Sequence, residues 1–164
     1  MKIAFLIIAL LFCFSVNAQN QLTDTNYLEH KHHDHHKNEI GVANAPVYFI
    51  KEKVLTYGLH VHYIRKIDHT PFGIGAGYER IFDKHGHHTF GIVGSYMPID
   101  KLSFIVAPGI TFEDEAINSP DFALHLETSY EFEINNFHLG PVFEFAYDPE
   151  DFHISLGLHI GLGF

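Results

Sequence analysis

The sequence has one cysteine, few basic residues and no segment with a convincing helical period, and each shortage excludes a class of protein. Cys13 lies in an apolar segment that we expect to be removed, so disulfides and thiol chemistry are excluded from the mature chain. Lys and Arg number 10 against 20 Asp and Glu. Such an acidic surface is unsuited to nucleic acid, and no nucleic-acid partner is expected. The compositional excess is histidine, with 15 residues.

Residues 1–18 have the pattern of a secretory signal peptide. Lys2 precedes an apolar run over residues 3–16, and Ala18 supplies a small residue at the cleavage site. The run is shorter than the roughly 20 apolar residues that span a bilayer as a helix, which argues against a retained anchor. We therefore predict an exported protein with a cleaved signal peptide.

Residues 19–38 are polar, lack periodicity and carry a dense histidine tract. We predict a disordered leader, because such a segment cannot bury enough apolar surface to fold. Neutral imidazole is a common ligand of Zn, Cu and Ni. Weak metal capture and a solvated tract without a specific role are both open hypotheses. The tract contains His30, His32, His33, His35 and His36.

From residue 39 to residue 164 the apolar side chains recur with a period of two. The last segment is the clearest, because apolar residues alternate with His, Ser and Gly from Phe152 to Phe164. Alternation over about 9–11 residues or more is typical of strands that cross a membrane in a tilted barrel. Turn-forming residues separate eight such segments. The predicted strands are 39–50, 55–66, 72–82, 88–97, 102–112, 122–132, 137–147 and 152–164.

The even number of strands and the short links between them predict an all-β, eight-stranded antiparallel up-and-down transmembrane β-barrel. Asn44, Ala45 and Pro46 interrupt the parity of the first strand, so a bulge or an edge-like irregularity is expected there. With the amino end in the periplasm, the long acidic link at 113–121 lies on the outer side.

Alternation alone does not say which face points outward, so a soluble lipocalin-like binding barrel is an alternative. Its polar face would meet water and would normally be rich in Lys, Arg, Glu and Thr. Here that face is mainly Gly, Ala, Ser, His and Glu, and small residues fit the crowded lumen of a narrow barrel. Aromatic residues collect near strand ends on the other face, as at membrane interfaces. The composition favours a barrel in the lipid bilayer.

The export signal, the alternating strands and the final strand ending in Phe164 resemble the small outer-membrane β-barrels related to OmpX and the OmpA membrane domain. The resemblance covers residues 39–164. It implies a bacterial outer-membrane location and recognition of the C-terminal strand by the barrel-assembly machinery. That superfamily includes adhesion, stress-related and lipid-modifying proteins, so the resemblance implies a fold and leaves the function open.

Several ionisable residues of the strands face the lumen if the small-residue face points inward. No lysine or arginine clearly shares that face. Because buried carboxylates need compensation, we expect His–Glu hydrogen bonds, protonated imidazoles, water or a metal ion among them. These residues are His60, His62, His125, His138, His153, His159, Glu79, Glu127, Glu131 and Glu144.

His60 and His62 carry a more specific metal hypothesis. Residues i and i+2 of a strand share a face about 7 Å apart, so both imidazoles can approach one ion if Glu127 meets them across the barrel. A hydrogen-bonded polar plug without metal is the alternative. His85, His87 and His88 form a further cluster in a predicted external link.

An enzymatic alternative rests on His153, Ser155 and Glu144, which lie on neighbouring predicted strands and can form a Ser/His/acid set. In the lumen, however, Ser155 would be out of reach of a lipid substrate. We therefore predict a non-enzymatic envelope protein that binds Zn, Cu or Ni through its His-rich N-terminal segment. A lipid-modifying enzyme and a soluble lipocalin-like binding barrel are the alternatives.

Overall fold

The computed structural model describes residues 36–149 and 151–164. In this part of the chain no helix is long and apolar enough to cross a membrane. The predicted signal peptide and His30 to His35 lie outside the described residues. The strands are Asn38–Phe49 (β1), Val54–Lys66 (β2), Phe72–Ile81 (β3), His87–Ile99 (β4), Leu102–Glu113 (β5), Asp121–Tyr130 (β6), Phe132–Ile134 (β7), Phe137–Tyr147 (β8) and Phe152–Gly163 (β9).

The strands form one antiparallel sheet that closes on itself. Strands β1 to β6 pair in chain order, β8 pairs with β9, and β9 returns to pair with β1. Strands β6 and β7 both pair with β8 and are two parts of one barrel strand, separated at Glu131. The predicted eight-stranded up-and-down barrel is therefore confirmed.

The two ends of the barrel differ in their links. The links 67–71, 100–101 and 135–136 share one end with Asn38 and Phe164, whose backbones are hydrogen bonded at 3.0 and 2.9 Å. We call this the terminal end. The links 50–53, 82–86, 114–120 and 148–151 lie at the opposite end, which we call the loop end.

The first strand contains no bulge, but its pairing with β9 is interrupted, which is the edge-like irregularity that the sequence also allowed. Asn44, Ala45 and Pro46 pair with β2 in unbroken register. Ala45 and Pro46 lack partners in β9, but the register on either side of them is the same, so no residue is inserted. A proline removes a donor from the ladder without changing the register. The sheet shifts register elsewhere, between Tyr96 and Ile99 of β4.

The apolar face of the strands points outward. Ile92 at the middle of β4 is 65% exposed, and the apolar residues of every long strand are exposed in the same way. An apolar outer surface of this extent suits lipid and not water, so the soluble lipocalin-like alternative is wrong. The outward aromatic residues include Tyr57, Tyr63, Phe72, Tyr96, Phe132, Phe137 and Phe164.

Side chains fill the lumen, as expected for a barrel of this size. Val47, Phe49 and Ile81 form a buried apolar group near the loop end. A second apolar group occupies the side formed by β2, β4 and β5. It consists of Ile64, Val93, Ile105 and Ala107. The rest of the buried interior is largely polar and contains the histidines and glutamates.

Candidate metal centres in the barrel lumen

All ten histidines and glutamates predicted to face the lumen are buried, and Glu39 of β1 joins them. Two groups among them bring one potential ligand atom from each residue to within 4.8 Å of the others. The terminal-side site consists of Glu39, His62 and His159. The loop-side site consists of Glu79, His125, Glu144 and His153.

Three adjacent strands build the terminal-side site. Gly41 of β1 pairs with His62 of β2, and Ala43, two residues further along β1, pairs with His159 of β9. The two imidazoles stack with their ring centroids 5.1 Å apart. They occupy the space above Gly41, where a Cβ atom would lie 2.7 Å from Cε1 of His62. Glycine at this position therefore allows the two rings to meet.

The imidazoles of the terminal-side site lack hydrogen-bond partners. Neither ring nitrogen of His62 or of His159 has one. Nε2 of His62 lies 3.9 Å from Oε1 of Glu39. Nδ1 of His159 lies 3.2 Å from Oε1 of Glu131 without hydrogen-bond alignment. The site thus holds buried donor atoms that the protein itself leaves unsatisfied.

Lys66 corrects the expectation that no basic residue shares the lumen face. Its Nζ lies 3.7 Å from Oε2 of Glu39 at the terminal end. The even-numbered residues of β2 face inward, so the parity of His60 and His62 already pointed to Lys66. Glu131 is compensated differently, because the hydroxyl of Ser129 donates to its Oε1 at 2.5 Å.

The loop-side site joins strands that are distant in the sheet. Glu79 comes from β3, and the other three residues come from β6, β8 and β9 across the lumen. Nδ1 of His125 contacts Oε1 of Glu144 and lies 3.6 Å from Oε2 of Glu79. Nε2 of His153 lies 3.9 Å from the same Glu79 oxygen. Oε2 of Glu79 and both ring nitrogens of His153 have no hydrogen-bond partner.

His60 and His62 lie side by side but have different contact partners. Nδ1 of His60 lies 3.3 Å from Oε2 of Glu127, which meets it across the barrel as the metal hypothesis required. The rings of His60 and His62 are 5.3 Å apart and nearly edge to face. His62 nevertheless faces Glu39 and His159, so the two histidines belong to different groups. Sequence parity indicated these residues, with the exception of Glu39, but not how they combine.

The residues of the enzymatic alternative do not form a Ser/His/acid relay. The hydroxyl of Ser155 donates to Oε2 of Glu144 at 3.3 Å. His153 hydrogen bonds to neither of them, since both of its ring nitrogens lack partners. Ser155 is 5% exposed within the lumen, away from the lipid face. In this arrangement His153 is not positioned to take the proton of the Ser155 hydroxyl, as a Ser/His/acid relay requires.

The histidines at the loop end each face a carboxylate. Nδ1 of His87 lies 3.1 Å from Asp83, and Nε2 of His88 lies 2.7 Å from Asp114. Burial alone would raise the pKa of Asp83, but the nearby His87 and the N–H of Gly86 together hold that pKa below its ordinary value. These contacts tie the link 82–86 to the end of the barrel.

Phe49 lies between the loop-end histidines and the loop-side site. Its ring centroid is 5.6 Å from that of His87 and 5.2 Å from that of His153. The Phe49 side chain is 3% exposed and packs with Val47 and Ile81. An apolar layer therefore separates the loop-side site from the loop end.

No protein-family model and no curated protein matches the sequence significantly. Solved structures match in fold. Ail, the attachment invasion locus protein of Yersinia pestis, is 11% identical with a TM-score of 0.57, over 79% of this chain and 99% of that chain. Neisserial surface protein A has a TM-score of 0.57 and is 11% identical, over 77% of this chain and 96% of that chain. A de novo designed transmembrane β-barrel has a TM-score of 0.55 and is 13% identical, over 77% of this chain and 96% of that chain.

These likenesses concern the backbone, because identities of 11–13% carry no information about individual side chains. They agree with the closed sheet, the apolar outer face and the polar lumen described above. The chain is an eight-stranded transmembrane β-barrel with the fold of the small outer-membrane proteins.

Proposed function

We propose that this chain is a non-enzymatic outer-membrane protein that binds a divalent transition metal ion in its lumen, at the terminal-side site. The observation that carries the proposal is the stacked pair of buried imidazoles, His62 and His159, whose ring nitrogens have no partners and which lie beside Glu39.

An ion at this place removes an energetic cost. Leaving a buried polar group without a partner costs about 1–3 kcal/mol, and both imidazoles are in that condition. Imidazole nitrogen favours Zn, Cu and Ni over Ca and Mg. Three protein ligands leave one position of a tetrahedral ion to water, which suits a site that exchanges its metal.

The histidine tract supplies a capture segment for the same ion. His36, its last member, lies against Gly163 at the terminal end of the barrel. We infer that His30, His32, His33 and His35 bind metal weakly and raise its concentration near this end. His60 stays a secondary candidate ligand because its ring lies next to that of His62.

The cellular setting completes the proposal. We infer export by a signal peptide over residues 1–18 and recognition of β9, which runs to the aromatic Phe164, by the barrel-assembly machinery. Ail and Neisserial surface protein A carry names that refer to attachment, invasion and the cell surface, which supports a role in the envelope without catalysis.

Metal titration of the full chain in detergent micelles tests the proposal. The protein is stripped with EDTA and titrated by calorimetry with ZnCl₂, CuCl₂ and NiCl₂. The double variant His62→Gln/His159→Gln is expected to lose one tightly bound equivalent per barrel. Substitution of His30, His32, His33 and His35 by Gln is expected to remove only weak binding.

Thr89→Val is the matched control, because Thr89 is a buried lumen residue that hydrogen bonds Thr111 and belongs to neither site. Heat-modifiable migration on gels verifies that each variant is a folded barrel. Equal tight binding by the wild type and the folded double variant would overturn the proposal, as would the absence of binding to the wild type.

A further inference from the structure

Glu79, His125, Glu144 and His153 are four buried potential ligands that the proposed function does not use. We propose that they hold a second ion, Zn²⁺, as a structural metal that ties β3 to β6, β8 and β9 across the lumen. This inference goes beyond the proposed function, since it concerns other residues and a different role.

The geometry suits a four-coordinate ion. The four potential ligand atoms lie within 4.8 Å of one another. Ligands at about 2.0–2.2 Å from a tetrahedral zinc ion lie roughly 3.3–3.6 Å apart. The 3.6 Å between His125 and Glu79 and the 3.9 Å between His153 and Glu79 are close to this spacing. His125 and Glu144 are in direct contact and must separate to admit the ion.

Two of the four side chains, Glu79 and His153, have ligand atoms without hydrogen-bond partners. Oε2 of Glu79 and both ring nitrogens of His153 are buried without hydrogen-bond partners. Glu79 is 4% exposed and His153 is 3% exposed, so bulk solvent does not reach these side chains. Because buried polar groups in proteins are nearly always bonded, these atoms point to a ligand.

The charges of the site also call for a cation. Two carboxylates, Glu79 and Glu144, approach the same histidine, His125. In the described part of the chain, Glu79 and Glu144 form ion pairs with histidines alone. Buried carboxylates are paired with cations or coordinate metals, and a divalent ion compensates both at once.

The ligand set favours zinc in a structural role. Two imidazole and two carboxylate ligands fill a tetrahedral shell without an open position, which is typical of structural zinc sites. Ca²⁺ and Mg²⁺ take six or more oxygen ligands. Ser155 donates to Glu144 at 3.3 Å and orients this carboxylate, as outer-shell partners of metal ligands do.

Metal content and thermal unfolding test the inference on the full chain. The protein is produced in zinc-supplemented medium, dialysed against EDTA and analysed by mass spectrometry of the metal. The wild type is expected to retain one zinc ion per barrel, and Glu144→Gln/His153→Gln is expected to retain at least tenfold less. Added ZnCl₂ should raise the unfolding temperature of wild type that has been refolded without metal but not that of the variant treated in the same way.

His138→Gln is the matched control, because His138 is a buried lumen histidine outside both groups of ligands. It should keep both the retained zinc and the zinc-dependent unfolding temperature. The variant His62→Gln/His159→Gln should keep them too, which separates this inference from the proposed function. Equal zinc retention by the wild type and Glu144→Gln/His153→Gln would overturn the inference.

A spectroscopic measurement tests the inference even if Glu144→Gln/His153→Gln does not fold. Co²⁺ replaces zinc in the variant His62→Gln/His159→Gln, so that only the loop-side site is filled tightly. Four-coordinate Co²⁺ gives intense visible absorption, whereas six-coordinate Co²⁺ gives a weak band. A weak band or no bound cobalt would overturn the inference, and an intense band that is reduced by Glu79→Gln supports it.

Discussion

The imidazole rings of His62 and His159 stack with centroids 5.1 Å apart and planes 13° from parallel. Both ring nitrogens of each imidazole lack hydrogen-bond partners, and Glu39 lies within reach of the pair. Metal ions bind histidine through a ring nitrogen, and the stack brings two such ligands together. The contact depends on Gly41, which leaves room for both rings.

The variant Gly41→Ala tests that dependence. A Cβ atom there would lie 2.7 Å from Cε1 of His62, so at least one ring must move. Overpacking of a filled interior costs about 1–3 kcal/mol, and we expect roughly tenfold weaker zinc binding at the terminal-side site. Calorimetry measures the affinity.

Gly91→Ala is the control for this substitution, because a Cβ at Gly91 would lie 3.5 Å from Cβ of Ala107 in ordinary contact. It should leave zinc affinity and the barrel unchanged. If Gly41→Ala binds zinc as tightly as the wild type, the stacked rings do not form the site.

Arginine at two outward positions tests the lipid face. Ile92 lies in the middle of β4 and is 65% exposed, whereas Ile117 lies in the link 114–120 and is 63% exposed. Arginine on the lipid face near the bilayer midplane costs about 2–4 kcal/mol, so Ile92→Arg should lower the free energy of unfolding in vesicles by that amount. Ile117→Arg should change it by less than about 0.5 kcal/mol. Similar losses for both variants would contradict the assigned face.

The barrel was predictable because the alternation of apolar with polar or small residues along each strand shows which face of the strand is apolar. The same parity placed His153 and His159 in the lumen, where the structure has them. The sequence left a bulge and an edge-like irregularity open around Pro46, because a missing donor and an inserted residue interrupt an alternating pattern in the same way. Pairing with the two neighbouring strands distinguishes them and shows no inserted residue.

The composition of the two sites was not predictable from parity. Parity gives the face of a residue, but its depth in the lumen depends on the stagger between strands around the closed sheet. His62 therefore meets His159 of a distant segment, while its neighbour His60 meets Glu127. Glu39 was missed because it stands at the first position of its predicted strand.

The guanidinium of Arg80 should stabilise the loop end through Asp114. Its two terminal nitrogens donate to the two carboxylate oxygens at 2.8 and 2.7 Å. Lysine cannot form this bidentate pair, so Arg80→Lys should lower the free energy of unfolding by about 1 kcal/mol. Lys37→Ala is the comparison, since its pair with Asp68 is largely exposed and should contribute little. Urea unfolding in micelles measures both, and an equal effect of the two would argue against the bidentate contribution.

Acid should release the link 82–86. The pKa of Asp83 is lowered in the folded protein, so its ionised form stabilises the link above the unfolded-state pKa of about 3.9. That contribution is lost as the pH falls through the lowered value. Hydrogen exchange of the link should therefore be slower in the wild type than in Asp83→Asn at pH 6, and this difference should vanish toward pH 2. Glu113 also approaches His87, at 3.7 Å, so Glu113→Gln serves as the control that keeps the Asp83 effect.

Phe49 should control how fast metal leaves the loop-side site. Its ring packs 5.2 Å from that of His153 and lies between this histidine and His87 at the loop end. Replacing the ring by a methyl group opens a path for water, so Phe49→Ala should release zinc to EDTA at least tenfold faster. Val47→Ala removes bulk from the same apolar group without removing the ring over His153. If both variants release zinc at the same rate, general loosening of the barrel and not the cover provided by Phe49 sets the exchange.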